Sequence, residues 1–377
     1  MIRKICILIF ALLSILARGQ EMQIGIFRDH KIKRINLSQS SGAYEVYGDG
    51  SKVADINGNS MLEIQLVSGK LSVRENKVNV GSFAKVKVVP TLGYGSLALN
   101  SKSPIVRQRK YEDSFLFKVV AGRMTIVNLV SMSNYLAGVI ESEGGVGKHI
   151  EYYKVQALMS RTYAMKNKQR HRKEGFHLCD GVHCQAYHSM LRFTKDIRTA
   201  VQLTNREVIH NESNNLVTTY FSANCGGQTC DAGYVWNQSE PHCQMFLDTF
   251  CIHTNQATWT KRIPQYKWKN YLVGTFGYPI EDSSMASIIY TFEQKQRKAF
   301  YIHPSLGIPL RDLRSKFSLK STFFNTFADG SDVVLKGRGF GHGVGLCQEG
   351  AMRMATFGYS YQQIAMFYFT DVHVGTY

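Results

Sequence analysis

The stretch ESEGGVGKHIEYYKVQALMSR, residues 141–161, sets two carboxylic acids, Glu141 and Glu143, ahead of a glycine-rich hinge and a segment carrying Lys154 and Arg161. On a helix of 3.6 residues per turn, Ile150, Lys154, Ala157, Leu158, Arg161 and Met165 fall on one stripe. The opposite side carries Val155, Met159, Thr162 and Ala164, so the helix has no strongly polar face to give to water and reads as core. Lys and Arg are almost never fully buried without a partner, and the nearest anions upstream are Glu141 and Glu143. Two chemistries fit: a structural ion pair whose stems snorkel past apolar neighbours, or a carboxylic acid held in a cleft beside two cations that bind an anionic substrate.

A second constellation is HLCDGVHCQAYH, residues 177–188, which crowds His177, Cys179, His183, Cys184 and His188 together. Tetrahedral zinc needs four nitrogen or sulfur ligands, and Cys-x4-Cys with flanking histidines can supply them from one loop. A Cys179–Cys184 disulfide is the alternative. The glycine-rich run GRGFGHGVG, residues 337–345, has the look of a dinucleotide loop, but His342 stands where the third glycine is required. It reads instead as a tight turn lining a cleft. His342 and Cys347 also make a weak cysteine-peptidase pair, because nothing orients the two.

The elements that must position these groups are preceded by MIRKICILIFALLSILARG, which has basic residues, a short apolar run and a small-residue ending. Residues 1–19 are therefore expected to be a secretory signal peptide, and the mature chain exported to a periplasm or cell wall. No later stretch offers about 18 uninterrupted apolar residues, so an integral membrane protein is not expected. The net charge of +17 falls to +14 without Arg3, Lys4 and Arg18 of the leader. An exported cation meets anionic polymers such as peptidoglycan, and nucleic acid is disfavoured by export and by the lack of a compact basic run. Seven cysteines remain, an odd number that leaves at least one unpaired or metal-bound. Cys225, Cys230, Cys243 and Cys251 can form two disulfides in any of three connectivities.

From Gln23 to about Val130 the chain alternates polarity in short strands such as LEIQLV, AKVKVV, FLFKVV and MTIVNLV. The polar stretch at 100–114 marks the expected seam between a β-rich module, residues 20–105, and a second domain, residues 106–377. Helical signals lie at 149–168, 194–204, 345–356 and 360–368, the last opened by a Ser360/Gln363 capping box. Strands return at 216–222 and 333–337. The expectation is an α+β fold: a β-rich module followed by a mixed helix and strand domain with a central cleft.

YLAGVIESE followed by KVQALMSRTYA resembles the signature of the stage II sporulation protein D family. CDGVHCQAY (179–187), TTYFSANCGGQT (218–229) and the block from Gly337 to Phe369 agree in order, and the resemblance covers about residues 113–372. It implies a peptidoglycan lytic transglycosylase that cleaves the MurNAc–GlcNAc bond with 1,6-anhydro ring formation. The alternative is a non-catalytic, glycan-binding enhancer of a cell-wall amidase. It implies Glu143 as catalytic acid and base, Lys154 and Arg161 as substrate-contacting cations, and Tyr220, Ser222, His342 and Gln348 beside the glycan. It also implies a structural or site-shaping zinc on Cys179, Cys184, His183 and His177. Burial should favour a protonated Glu143 while the cations oppose it. Glu141, read as part of an extended segment, should point the other way, to the surface or a supporting position. Two departures stand out: Gly144, where the family usually has Met, and Glu349 inside GLCQEGA, where it often has Trp.

Overall fold

A computed structural model describes residues 20–377, so the expected leader lies outside the described residues. The fold is α+β. The chain divides into two compact units, residues 20–148 with 156–205, and residues 149–155 with 206–377. Among the described residues no helix is long and apolar enough to cross a membrane.

The first unit is built from strands whose polarity alternates as expected: in Lys85–Pro90 the two lysines are exposed while Val86, Val88 and Pro90 are buried. Twelve strands come first: β1 (Glu21–Ile26), β2 (Arg34–Ser41), β3 (Tyr44–Gly48), β4 (Ser51–Ile56), β5 (Met61–Val67), β6 (Lys70–Glu75), β7 (Val78–Phe83), β8 (Lys85–Pro90), β9 (Ser96–Ser103), β10 (Arg109–Glu112), β11 (Ser114–Val120) and β12 (Arg123–Ser131). With the later β13 (Leu178–Cys179) they form a seven-stranded sheet, β13-β1-β12-β11-β8-β3-β4, and a six-stranded sheet, β10-β9-β2-β5-β6-β7. The seam expected at 100–114 falls inside the second sheet, where β9 and β10 pair antiparallel from Arg109↔Leu99 to Glu112↔Ser96. Its polar residues form a connection between paired strands rather than a linker.

Three helices follow β12: α1 (Met132–Gly144), α2 (Ile150–Lys166) and α3 (Lys195–Leu203). The spacing of apolar residues anticipates α2 and α3 to within two residues, whereas α1 carries no such signal. Ser131 caps α1, its Oγ accepting from Asn134 N at 3.3 Å. Nine residues of this helix are buried, among them Tyr135, Leu136, Val139 and Ile140, so no amphipathic stripe advertises it. Gly138 sits in mid-helix because a Cβ there would meet Ser189 O and the Tyr187 ring at 2.5 Å. The glycine lets the 187–189 segment lie directly against α1.

In the second unit, β14 (Glu207–Asn211) pairs with β20 (Val372–Thr376), and β15 (Phe221–Ser222) lies parallel to β19 (Leu346–Cys347). A three-stranded sheet orders β16 (Thr258–Pro264), β18 (Asp332–Arg338) and β17 (Phe324–Asp329) around the central β18. It packs with helices α5 (Gln265–Phe276) and α7 (Leu310–Lys316) about Trp259, Trp268, Leu272, Leu313 and Leu335. The short α4 (Ala232–Trp236) and α6 (Ser283–Ile288) lie in the connections. Helices α8 (Gln348–Thr356) and α9 (Tyr361–Tyr368) match expectation, and both bonds of the Ser360/Gln363 capping box are present.

Candidate functional site

Glu143 lies in the last turn of α1, not in an extended segment as the sequence had suggested. Its Oε1 accepts a hydrogen bond from Ala186 N at 2.7 Å. Burial pushes the carboxyl above the ordinary glutamate range, and the Ala186 amide opposes that rise without cancelling it. The two residues before it grip the same chain segment: Ser142 Oγ accepts from His188 N at 3.4 Å. Glu141 is buried rather than at the surface, because it takes the amides of Arg192 (3.0 Å), Phe193 (2.8 Å) and Thr194 (3.2 Å) and the Arg192 Nε (3.2 Å). Thr194, the N-cap residue of α3, makes no side-chain cap of its own. Glu141 therefore caps α3 from a neighbouring helix.

On α2 every residue from Val155 to Ala164 is buried, as its pattern requires. Arg161 is 1% exposed, and its Nη2 donates to Val201 O at 3.2 Å and Thr204 Oγ1 at 3.4 Å, at the carbonyl end of α3. A cation there favours the helix dipole. Lys154 belongs to the second unit, where its Nζ sits 2.6 Å from Glu151 Oε1, an anion one turn earlier and nearer in sequence than Glu141 or Glu143. Glu151 Oε2 in turn accepts from Tyr361 N at 2.8 Å, and the Lys154 ammonium lies 5.6 Å from the Tyr361 ring centroid.

The first unit also gathers His171, Cys179, His183 and Cys184, with one ligand atom from each within 4.8 Å of the others. Cys179 is delivered by β13, the parallel edge strand beside β1. His183 Nδ1 faces both sulfurs, 3.8 Å from Cys179 Sγ and 3.6 Å from Cys184 Sγ. The fourth position belongs to His171 rather than the expected His177. Its Nδ1 meets Glu174 Oε1 at 2.6 Å, which turns Nε2 toward Cys184 Sγ at 3.3 Å. Glu174 is anchored by Arg28 (2.8 and 3.0 Å), which holds its carboxyl down to about 2. A histidine fixed by a carboxylate on its far nitrogen is the usual support of a metal-ligating imidazole. The two thiols share a hydrogen bond that pulls the Cys179 thiol down and pushes the Cys184 thiol up. His177 is engaged elsewhere, its Nδ1 accepting from Gln23 N at 3.1 Å along the edge of β1. Two thiols and two imidazoles in this compass fit a tetrahedral zinc. Tyr135, on the same helix as Glu143, donates its OH to Gln185 Oε1 at 3.1 Å, in the stretch between Cys184 and Ala186.

In the second unit an aromatic group forms from three dispersed residues. Tyr220 stacks on Trp236 at 4.3 Å between centroids, and His342 lies 5.1 Å from Trp236 and 6.2 Å from Tyr220. Trp236 is 43% exposed, whereas Trp259 and Trp268 are buried. It was not singled out from the sequence, although it is one of only three tryptophans. Burial, with the Arg314 and Arg297 guanidiniums nearby, pushes His342 down to about 4, so the ring is neutral near pH 7. His342 Nδ1 accepts from Val344 N at 3.0 Å. Ser222 Oγ accepts from Gly343 N at 3.1 Å, holding the glycine-rich turn against β15. Gly345 in that turn has φ +68, and a Cβ there would sit 2.3 Å from Tyr220 O, so glycine is required. Gln348 opens α8 and is buried. Glu349 binds Asn224 Nδ2 (2.7 Å), Gln256 Nε2 (3.1 Å) and the Thr254 hydroxyl, a polar tie that accounts for a carboxylate at this position.

Residues 120–210 match the family model SpoIID, described as Stage II sporulation protein. An uncharacterized protein of Brachyspira hyodysenteriae is 26% identical over 357 residues, spanning 93% of this chain and 95% of that protein. Stage II sporulation protein D of Bacillus subtilis is 25% identical over 268 residues, 66% of this chain and 75% of its own length. The amidase enhancer of Bacillus subtilis is 23% identical over 409 residues, 92% of this chain and 56% of that protein.

Proposed function

The chain belongs to the stage II sporulation protein D family, and on that premise we propose that it acts on cell-wall peptidoglycan as a lytic transglycosylase with Glu143 as its single acid and base. The observation that carries this reading is the Glu143 carboxyl, held by Ala186 N at the end of α1 and pushed by burial toward its protonated form. A general acid at neutral pH needs that direction of shift. In the proposed reaction Glu143 protonates the glycosidic oxygen as the bond to MurNAc C1 breaks. The resulting carboxylate then takes the proton from the C6 hydroxyl while O6 closes on C1. One carboxyl group serves both steps, and no second acid has to activate water as in the two-acid hydrolases.

The chain's other groups take supporting places. Arg161, satisfied by the end of α3, positions the helices around the acid rather than gripping the polymer. Tyr220, Trp236 and His342 offer flat faces to sugar rings, and Lys154 a positive charge to muramic carboxylates. His171, Cys179, His183 and Cys184 would hold a zinc whose contribution is a structural cross-link of the 171–184 loop. That loop runs directly into the Ala186 amide that fixes Glu143. The leader and the basic charge fit an exported protein of the periplasm or cell wall.

A second reading follows from the likeness to the amidase enhancer: the chain binds glycan strands without cutting them and acts through a cell-wall amidase. One experiment separates the two. Purified protein lacking residues 1–19 is incubated with glycan strands, with and without stem peptides, and the products are weighed. Anhydro-muramic ends are the expected result. Intact strands together with measurable strand binding support the second reading, and reducing ends overturn the lyase chemistry.

A further inference from the structure

A second convergence of ligands lies in the other unit. Cys225, Asp248, Cys251 and Cys347 are all buried, and one ligand atom from each lies within 4.8 Å of the others. They come from three places in the chain: the turn after β15, the 248–251 loop, and the junction of β19 with α8. We propose that these four residues form a closed, structural metal site of the Cys3Asp type, suited to a divalent d10 cation such as zinc and separate from the His171 cluster.

The geometry argues for a shared central ligand. Cys225 Sγ lies 3.4 Å from Cys251 Sγ and 3.2 Å from Asp248 Oδ2. A zinc–sulfur bond of about 2.3 Å places two sulfurs of a tetrahedron roughly 3.8 Å apart, close to the spacing found. A Cys225–Cys251 disulfide is the competing use of these thiols, but it does not account for the convergence of Cys347 and Asp248 on the same point. The surroundings are those of bound thiolates. Cys347 Sγ collects two amide donors, Cys225 N at 3.3 Å and Gly350 N at 3.4 Å. Asp248 is oriented by Tyr368 OH (2.9 Å) and Phe250 N (2.9 Å). Donors aimed at ligating sulfurs and carboxylates are what a metal's outer shell provides. Three thiolates and a carboxylate around a divalent ion leave net negative charge, and a buried cation stands close by. Arg297 is 3% exposed, has its Nη2 2.6 Å from Cys225 O, and makes its other hydrogen bonds to Gln228 and Thr322.

The site has a structural consequence. A metal here would tie the β19–α8 corner, which carries Gln348 and Glu349, to the strand and loop that frame Tyr220 and Ser222. Ligands so far apart in sequence bring large loop closures, so binding is coupled to folding. All four positions are filled by protein, which leaves no opening for a reactive water.

The test uses the mature chain with C179S and C184S, which removes both thiols of the His171 cluster. Purified without chelator, this variant should hold about one zinc per chain, as tight structural sites do. X-ray absorption at the zinc edge should count three sulfurs and one lighter neighbour. Cys225, Cys251 and Cys347 should be recovered as free thiols after denaturing alkylation with chelator present. Zinc under about 0.2 per chain, or a Cys225–Cys251 disulfide in a non-reduced digest, overturns the proposal. If the double variant does not fold, C347S is compared with the otherwise unaltered chain: loss of one zinc equivalent supports the site, and unchanged zinc content overturns it.

Discussion

Replacing Glu143 by Gln separates chemistry from structure at the proposed acid. The amide oxygen of Gln can still accept from Ala186 N, the hydrogen bond that holds Oε1 at 2.7 Å. A bond to a neutral acceptor is worth about 0.5–1.5 kcal/mol against about 1.5–3 for a charged one, so the exchange costs roughly 1 kcal/mol where the carboxylate is ionised. Burial offsets this, because it raises the carboxyl's pKa in the folded state. A glutamate whose folded pKa lies above its unfolded value gives its full stability below the ordinary value of about 4.3 and loses it as pH rises through the raised one. Gln carries no such loss. E143Q should therefore gain stability relative to the unsubstituted protein as pH rises from about 4 toward 8. Turnover should behave oppositely. Proton transfer by a positioned group contributes about 10²–10⁴-fold, and here one group serves both transfers, so release of anhydro-muropeptides should fall about 10³-fold or more. Mass spectrometry of digested glycan strands reads the activity, and urea denaturation across pH reads the stability. More than about a tenth of the original turnover, or a stability difference flat from pH 4 to 8, would refute the reasoning.

Glu141→Ala should lower stability and, through the 186–194 segment, turnover as well. It strands the amides of residues 192–194, which lie near enough to the surface for water to reach them, so a loss of about 2 kcal/mol by equilibrium denaturation is expected. Turnover per folded molecule should fall, but by less than in E143Q, because Ala186 N still holds the acid. His171→Ala should remove about one zinc equivalent while His177→Ala leaves the metal content intact, as elemental analysis of chelator-free protein would read. The reverse pattern would restore the ligand set inferred from spacing. Trp236→Ala should weaken strand binding by about 0.5–1.5 kcal/mol, twofold to tenfold in Kd by calorimetry, with Trp236→Phe recovering most of it.

What the sequence disclosed follows how local each signal is. The strands of the first unit and helices α2, α3, α8 and α9 carry their period on the surface of the code, and the Ser360/Gln363 box is a contact between residues three apart. Helix α1 escaped because a helix buried on most sides has no polar stripe, and Gly138 reads as a breaker until Ser189 and Tyr187 are seen against it. His171 escaped for a different reason. It stands outside the dense Cys/His run and reaches Cys184 only through the turn at Arg172–Glu174, which no spacing rule encodes. Lys154 pairs with Glu151, three residues earlier on the same helix and so within easier reach than the acids upstream of the glycine hinge. The approach of Cys347 to Cys225 and Cys251 depends on the parallel pairing of β15 with β19, a contact between segments more than a hundred residues apart.

The three consecutive residues Glu141, Ser142 and Glu143 have a joint effect that none has alone. Successive positions on a helix are about 100° apart, so one turn at the end of α1 points three polar side chains in different directions. Each finds an amide of the same downstream segment, at residues 192–194, 188 and 186. That segment begins where the His171 cluster ends, at Cys184. The acid, its amide donor and the cluster are therefore joined through one continuous segment. Loosening any of them shifts the carboxyl relative to its surroundings, and general acid catalysis tolerates little such movement, because the proton must pass over a distance of about 3 Å. The contacts of Glu141 and Ser142 thus steady the segment whose Ala186 amide holds Glu143.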